Sequence, residues 1–322
     1  MAEASDVLII GAGPAGLTAA IYVCRAGWTA TVLDKGFYGG QVAITPEVEN
    51  YPGVLRIAGP DLSQNMYEQA VELGAQIRFE EVRELMLEGK QKVAVTSAGR
   101  YESRAVIIAN GAKRRHLGCP GEEEFVGRGV SYCATCDGAF FRGKNVVLVG
   151  GGNTALEDAL YLAKICSGVT IVHRRESFRG EKRLAKAAQN HPNIRILYNA
   201  TVTEIQGDKS VTAVLVRDER TGEITPVETS AVFVAIGYEP ENGMVAPPVR
   251  LDKAGYILAG EDCLTGVQGV FAAGDCRTKP LRQIVTATAD GAVAAFQAGA
   301  YLSSDEEKEE QNAVLVLPSA NI

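Results

Sequence analysis

Asp6-Val-Leu-Ile-Ile-Gly-Ala-Gly-Pro-Ala-Gly16 sets a short apolar strand against a glycine turn, and a helix-like run, Leu17–Ala26, and a second strand, Thr29–Leu33, follow it. Strand, glycine turn, helix and strand make a βαβ unit of the dinucleotide-binding kind. In Gly11-x-Gly13-x-x-Gly16 the glycines serve a tight turn, room for a pyrophosphate and close helix packing. The helix N-terminus then presents unsatisfied N–H groups to the phosphates. Asp34 lies 34 − 11 = 23 residues beyond Gly11. A carboxylate there suits ribose hydroxyls and repels a 2′-phosphate, so the pattern admits FAD or NAD.

The same grammar returns in Asn145-Val-Val-Leu-Val-Gly-Gly-Gly-Asn-Thr-Ala155, with helix-like Leu156–Cys166 and strand Val169–Val172. The matching offset is 173 − 150 = 23, but there the acid is replaced by His173-Arg-Arg-Glu-Ser-Phe-Arg179. Arg174, Arg175 and Arg179 either form a solvated basic face or grip the 2′-phosphate of NADPH through bidentate contacts, and the shared offset favours the phosphate. One site for FAD and one for NADPH is the simplest assignment. A third short strand, in Gln268-Gly-Val-Phe-Ala-Ala-Gly-Asp275, precedes a helix at about Gln283–Leu302, an ending that closes a flavin domain begun at the N-terminus.

The expected architecture is therefore an α/β fold of two Rossmann-like three-layer domains, the second inserted into the first. Residues 1–113 plus 243–322 form a discontinuous FAD-binding domain, and 114–242 form an NADPH-binding domain. Ser303–Asn312 reads as a charged, solvated stretch, and Ala313–Ile322 either docks as a strand or stays loose.

Composition sets the outer limits. The chain has 322 residues, which allows two or three domains, and 46% apolar residues, enough for sizeable cores. Its 35 glycines are a surplus suited to tight turns and close backbone approach. A net charge of −7 argues against nucleic acid or an anionic membrane as partner. No apolar run approaches bilayer-spanning length, and no basic stretch precedes an apolar one at the N-terminus, so a cytoplasmic protein is expected. The seven cysteines are odd in number and scattered, which is no secreted disulfide framework.

Only Cys133 and Cys136 form a close pair, in Cys133-Ala-Thr-Cys136-Asp137. Such a pair can be a zinc half-site, a redox disulfide or coincidence. No second C-x-x-C exists and the three histidines have no zinc spacing, so no metal is expected. Lying between two nucleotide folds, the pair reads as a redox dithiol that receives electrons from a reduced flavin and passes them on by thiol–disulfide exchange. Asp137 is either the acid/base of that exchange or a turn aspartate. Cys24 and Cys166 fall in apolar helix-like runs and read as structural. Cys119, Cys263 and Cys276 carry no chemical assignment.

From about Val7 to Leu302 the chain resembles the low-molecular-weight bacterial thioredoxin reductases. The resemblance rests on Gly11–Gly16, Gly39-Gly-Gln41, Thr45-Pro-Glu-Val-Glu-Asn-Tyr-Pro-Gly53, Ser131-Tyr-Cys-Ala-Thr-Cys-Asp-Gly138, Gly150–Ala155, His173–Arg179, and Gly274-Asp275 with Arg282-Gln283. Matched to those motifs, it implies that Gly11, Gly13, Pro14, Ala15, Asp34 and Lys35 hold FAD at the first turn. Gly40, Gln41, Asn50, Val82, Ala109 and Gly111 extend that site, and Gly274, Asp275, Arg282, Gln283 and Ile284 complete it. It implies NADPH on Gly152, Asn153, Thr154, Glu157, His173, Arg174, Arg175 and Arg179, with Ile236 and Gly237 nearby. It makes Cys133 the thiol that attacks the partner disulfide, Cys136 the thiol that faces the flavin, and Asp137 the acid/base.

The resemblance also implies thioredoxin, or a similar small dithiol protein, as partner, and a homodimer. Because the dithiol and the NADPH motif fall in the same inserted domain, a swivel of that domain about 112–116 and 240–246 is expected to bring each to the flavin in turn. Three other readings keep much of the fold: a reductase fed by ferredoxin, a flavin-dependent dithiol oxidase, and a ferredoxin–NADP reductase. The arginine cluster speaks against the first and the dithiol against the last. Tyr238 stands where many relatives have histidine.

Overall fold

The computed structural model describes residues 3–315 apart from Pro46 and Ala246. The chain divides into two compact units, Met1–Lys113 with Glu239–Ile322, and Arg114–Tyr238.

The first unit opens with β1 (Glu3–Ile10), α1 (Pro14–Arg25) and β2 (Ala30–Asp34). It continues through α2 (Gly59–Glu72), β3 (Gln76–Phe79), β4 (Val82–Met86), β5 (Lys92–Thr96) and β6 (Arg100–Ile108). The chain leaves through β7 (Lys113–Arg114). In the second unit come β8 (Val130–Ser131), the short helix α3 (Ala134–Asp137), β9 (Asn145–Gly150), α4 (Asn153–Leu162) and β10 (Gly168–His173). Next are α5 (Lys182–Gln189) and β11 (Ile194–Tyr198), then β12 (Ala200–Gly207), β13 (Val211–Asp218) and β14 (Ile224–Glu228), and finally β15 (Ala231–Ala235). The chain returns through β16 (Tyr238–Glu239), which pairs with β7, and the first unit closes with β17 (Val270–Ala272) and α6 (Ile284–Leu315).

In the first unit β1, β2, β3, β6 and β17 are parallel, and β5 and β4 extend the sheet antiparallel. Ile10 pairs with Ile108, and Ile108 with Ala272. The chain therefore leaves β1, β6 and β17 at one edge, and Gly11, Ala109 and the Ala273–Gly274 turn emerge side by side. Ligands of open α/β sheets gather at such carboxyl edges. Val7, Ile9 and Ile107 fill the core on the α1 face, and Leu8, Ile10 and Ile108 fill the other. Burial on both faces explains why these strands read as unbroken apolar runs.

The second unit repeats the plan. Its parallel sheet runs β11-β10-β9-β15-β8, beside an antiparallel sheet of β12, β13 and β14. Val149 pairs with Val172 and Gly150 with Ala235, so the Gly150 turn, the segment after His173 and the segment after Ala235 share one edge.

Both helices after the glycine turns begin earlier than apolar periodicity suggests. Pro14 is accommodated in the first turn, where its missing N–H costs nothing. The larger difference is α6. The stretch Ser303–Asn312, read as charged and solvated beyond a helix ending at about Leu302, continues that helix to Leu315. It carries four Glu, one Lys and one Gln and lacks Gly and Pro, so propensity sustains a helix once Gln283–Leu302 nucleates it. Glu306 accepts from Arg104 at 2.8 Å, and Arg104 also pairs with Asp6 at 2.7 Å. The segment after Leu315 lies outside the described residues. No described helix is long and apolar enough to cross a membrane.

A Cβ on Gly16 would stand 1.8 Å from the Gly11 carbonyl oxygen, so α1 can follow β1 this closely only with glycine there. Gly16→Ala is expected to lower stability by about 3 kcal/mol or more, since backbone must move to admit it. Glu306→Ala removes one exposed ion pair and is expected to cost less than about 1 kcal/mol. Denaturant melts of the two variants against the parent check the contrast.

Candidate functional site

The first turn is shaped by what glycine omits. Gly11 has φ +112°, and a Cβ there would meet the Ala109 carbonyl oxygen at 2.3 Å. Gly13 caps α1 with extended backbone and no side-chain cap bond, and nothing lies within 4 Å of where its Cβ would be. The space over the helix N-terminus is thus open while its first N–H groups lack a side-chain acceptor, which suits a pyrophosphate. Gly40 follows Gly39 in a left-handed turn and comes beside Gly13, and Gly39 N–H donates to the Ala12 carbonyl at 2.7 Å. Asp34, at the end of β2, accepts from the Ala12 N–H at 2.7 Å and the Gly36 N–H at 2.8 Å. Each of its oxygens keeps a further lone pair for a hydroxyl.

Gly274, at φ +79°, packs so closely on α1 that a Cβ would meet Ala15 Cβ at 2.8 Å. The next residue, Asp275, has a buried Oδ1 without a hydrogen-bond partner. Burial pushes its carboxyl above the usual range, against the pull of Lys279 and Arg282. A buried carboxylate oxygen with no donor fits a ligand hydroxyl. Asn50 donates to Gln283 Oε1 at 3.0 Å, and Arg282 lies with its guanidinium carbon 4.1 Å from the Tyr256 ring centre. Gln41 follows Gly40 in the same 3-10 turn, Gly111 has φ +67° and open space over it, and Ile284 begins α6. Lys35 is turned to Glu241 at 2.9 Å, and Val82 is buried in the apolar cluster of Leu8 and Leu33. These features fit a dinucleotide bearing free ribose hydroxyls.

In the second unit Gly150 has φ +157°, and a Cβ there would meet the Ala235 carbonyl oxygen at 2.4 Å. Gly152 caps α4 with no side-chain cap bond and open space at its missing Cβ. The Arg179 N–H donates to the Gly151 carbonyl at 2.9 Å, which ties the arginine loop to the glycine turn. Arg174, Arg175 and Arg179 are exposed, as are Thr154, Glu157 and Gly237. Ile236, directly after β15, is partly buried. Asn153 Oδ1 accepts from the Glu181 N–H at 2.7 Å. His173 differs from the arginines. It is 6% exposed, its ring packs on Gly151, its Nε2 lies 3.0 Å from the Ser177 carbonyl, and burial lowers its pKa. Its visible part is to brace the loop that displays the arginines.

Cys133 and Cys136 are joined as a disulfide at the start of α3. Cys133 Sγ accepts the Cys136 N–H at 3.2 Å and lies 3.5 Å from Thr135 Oγ1. The Ser131 hydroxyl donates to Asp137 Oδ2 at 2.6 Å while Ser131 Oγ accepts the Cys133 N–H at 3.1 Å. One serine therefore couples the acid/base candidate to the dithiol backbone. Burial raises the Asp137 carboxyl above its usual range, and the Ser131 bond and the nearby Arg114 charge oppose that rise. Exposed Phe140 follows the pair. Cys263 and Cys276 are buried, with thiols pushed up to about 12 by desolvation, and Cys119 to about 11. Such thiols are poor nucleophiles.

Residues 5–291 match the pyridine nucleotide-disulphide oxidoreductase family. The thioredoxin reductase of Peptoclostridium acidaminophilum is 45% identical over 315 residues, covering 96% of this chain and 100% of that protein. The thioredoxin reductase of Bacillus subtilis (strain 168) is 45% identical over 304 residues, covering 94% and 96%. A solved thioredoxin reductase structure from Streptococcus pyogenes MGAS5005 superposes with a TM-score of 0.88 at 41% identity, covering 94% of this chain and 100% of that one. The chain belongs to the thioredoxin reductases of this family. It is an oxidoreductase of two-domain Rossmann-like fold whose redox pair is Cys133 and Cys136.

Several members of this thioredoxin reductase site escape sequence reading. Ser131 stands inside a recognisable motif, but its two hydrogen bonds, donated to Asp137 and accepted from the Cys133 N–H, depend on the turn into α3. Arg114 belongs to β7, and its guanidinium carbon sits 5.1 Å from the Tyr132 ring centre. Only the fold brings it near the dithiol, and no local spacing signals it.

Gly13→Ala is expected to fold, because its backbone is ordinary and its Cβ meets nothing, yet to lose dinucleotide affinity by filling the space above α1. Gly11→Ala is expected to lose about 1–3 kcal/mol of stability through its left-handed φ alone, before the clash with Ala109. Melts and dinucleotide titrations separate the two. For Asp137 the sign follows from its raised folded pKa. The folded protein holds this proton more tightly than the unfolded chain, so the group's stabilising contribution is full in acid and declines as pH rises through the raised value. Asp137→Asn should therefore gain stability relative to the parent from acid to neutral pH. Melting temperatures across that range check it, and a constant difference would count against a buried, proton-holding carboxyl.

Proposed function

We propose that the protein is an NADPH-dependent thioredoxin-disulfide reductase that binds FAD on the first unit and NADPH on the second. The carrying observation is the Cys133–Cys136 disulfide with Asp137 beside it, in the same unit as a glycine turn tied to Arg174, Arg175 and Arg179. Bound FAD and NADPH supply the two-electron chemistry, hydride donation by the nicotinamide and acceptance by the flavin.

The chain's own residues do the rest. Asp34 accepts ribose hydroxyls, while the arginines meet a 2′-phosphate through charge-assisted bonds. In the reduced protein the Cys133 thiolate attacks one sulfur of the thioredoxin disulfide. That S–S bond breaks, a mixed disulfide forms, and the released thiolate takes a proton. The Cys136 thiolate then attacks Cys133 Sγ, frees the second thioredoxin thiolate for protonation, and restores the Cys133–Cys136 disulfide. Two electrons and two protons reach the partner. The Cys136 N–H at Cys133 Sγ favours the thiolate form of the attacking group, and a protonated Asp137 serves as local proton donor. Since the dithiol and the NADPH turn occupy one unit, the reading requires that each would reach the flavin in its turn. A homodimer in the cytoplasm belongs to the same reading, as the family resemblance of the sequence implies.

The test is an anaerobic NADPH titration of the FAD-loaded protein, followed by oxidised thioredoxin. Bleaching of the oxidised-flavin absorbance and its recovery on adding thioredoxin are expected; a flavin that stays oxidised sinks the NADPH reading. Cys133→Ser should keep the bleaching and lose the recovery. Arg174→Ala with Arg175→Ala should raise the NADPH concentration required by about tenfold or more, as each charged hydrogen bond is worth roughly 1.5–3 kcal/mol. NADH titrated in parallel should be indifferent to that change.

A further inference from the structure

Beneath the Gly274–Asp275 turn lies a buried charge cluster that the proposed chemistry does not use. Asp290, on α6, is 5% exposed, and Arg277 is 1% exposed. The side chain of Lys279 is 3% exposed. Arg277 grips the Asp290 carboxylate with both arms of its fork, Nε to Oδ2 at 2.8 Å and Nη2 to Oδ1 at 2.7 Å. Lys279 Nζ donates to Oδ2 at 2.8 Å, and the Gly274 N–H donates to the same oxygen at 2.9 Å. One carboxylate thus ties α6 to the backbone of the residue that precedes Asp275.

Two close approaches fix where this happens. Gly274 packs on Ala15 of α1. Gly291, next to Asp290, packs on the same residue, since a Cβ there would meet the Ala15 carbonyl oxygen at 2.2 Å. Asp290 therefore clamps the Asp275 turn against the helix whose N-terminus faces the open space at Gly13. Mere stability is a weak reason for such a cluster, because buried ion pairs return little over their desolvation cost. Holding a neighbouring acceptor in one geometry is a better one.

We infer that Asp290 is a positioning residue for FAD, fixing the Gly274–Asp275 turn so that the unpartnered Asp275 Oδ1 stands as a preset acceptor for a hydroxyl of the dinucleotide. The inference rests on the reading of the first unit as the FAD site. Arg277 also meets the exposed Glu261 at 3.4 Å, so two carboxylates face the two cations. Burial pushes the Asp275 carboxyl up while Lys279 and Arg282 pull it down.

The test is FAD binding by apoprotein, read from quenching of flavin fluorescence, with circular dichroism to establish folding. Asp290→Asn is expected to weaken binding about 10- to 100-fold, the range for losing a hydrogen bond to a charged group. Asp275→Asn should weaken it similarly. The double variant should stay within about threefold of Asp275→Asn alone, because Asp290 acts through Asp275. Multiplying losses, or an Asp290→Asn protein that binds as tightly as the parent, would overturn the inference and leave the FAD site standing. A folded parent that takes up no FAD overturns the FAD reading and the inference with it. If Asp290→Asn does not fold, Lys279→Met decides, since it removes one bond at Oδ2 and leaves the Arg277 fork. Weaker FAD binding that again does not multiply with Asp275→Asn is expected, and unchanged affinity overturns the proposal.

Discussion

Everything in the first unit depends on how closely α1 follows β1. The helix is pressed on the turn before it through Gly16 and on α6 through Gly291, and that turn is pressed on the end of β6 through Gly11. These contacts are backbone against backbone, so no side chain can relax to relieve an intrusion. The close fit brings the helix N-terminus to the edge where β1, β6 and β17 end, with its N–H groups still uncommitted. The geometry that binds an anion is thus the geometry that closes the core, and folding the unit forms the cradle.

The two units share this device and differ in what surrounds it. After β2 a carboxylate stands at the ribose position, held by the Ala12 and Gly36 amides. After β10 the same offset opens into an arginine loop, pinned to the Gly151 carbonyl by the Arg179 and Gly180 amides. Coulomb's law then sorts the ligands, since a 2′-phosphate is repelled at Asp34 and drawn to the arginines. In the proposed assignment, one fold serves two nucleotides because discrimination resides in a few charges at the strand end and the backbone scaffold is left unchanged.

The elements legible in the sequence are those whose cause is local. Val7–Ile10 and Val146–Val149 are buried on both faces and read as unbroken apolar runs, and the glycine turns and C-x-x-C have fixed spacings. What escaped reading joins residues across the chain. Arg277 and Asp290 are 13 residues apart on different elements, and nothing in either neighbourhood marks the other. Arg114, 23 residues before Asp137, acts on its carboxyl only through the fold, and Ser131 bonds it only through the turn into α3. The helical continuation past Leu302 was hidden for another reason: its acidic run was weighed for solvation, when composition also favoured helix. The buried place of His173 is likewise tertiary, since its motif looks continuous with the exposed arginines beside it.

The dithiol shows how far local geometry can divide labour between two identical side chains. Cys133 precedes α3 and Cys136 lies within it, and Cys133 Sγ accepts a hydrogen bond from the helix's own backbone, the Cys136 N–H. Negative charge is favoured on the sulfur that receives an N–H bond, which in the proposed scheme is the sulfur that attacks the partner. Ser131 then holds the Cys133 amide and the Asp137 carboxylate together, so attacking thiol and proton source are referenced to one hydroxyl. Ionised Asp137 would raise the cost of a second negative charge on the nearby sulfur. In the proposed scheme, protonated Asp137 removes that repulsion and supplies the proton that the departing thiolate needs. In that scheme, burial that holds this proton to higher pH serves both ends of the exchange, while the Ser131 bond and the Arg114 charge oppose the shift.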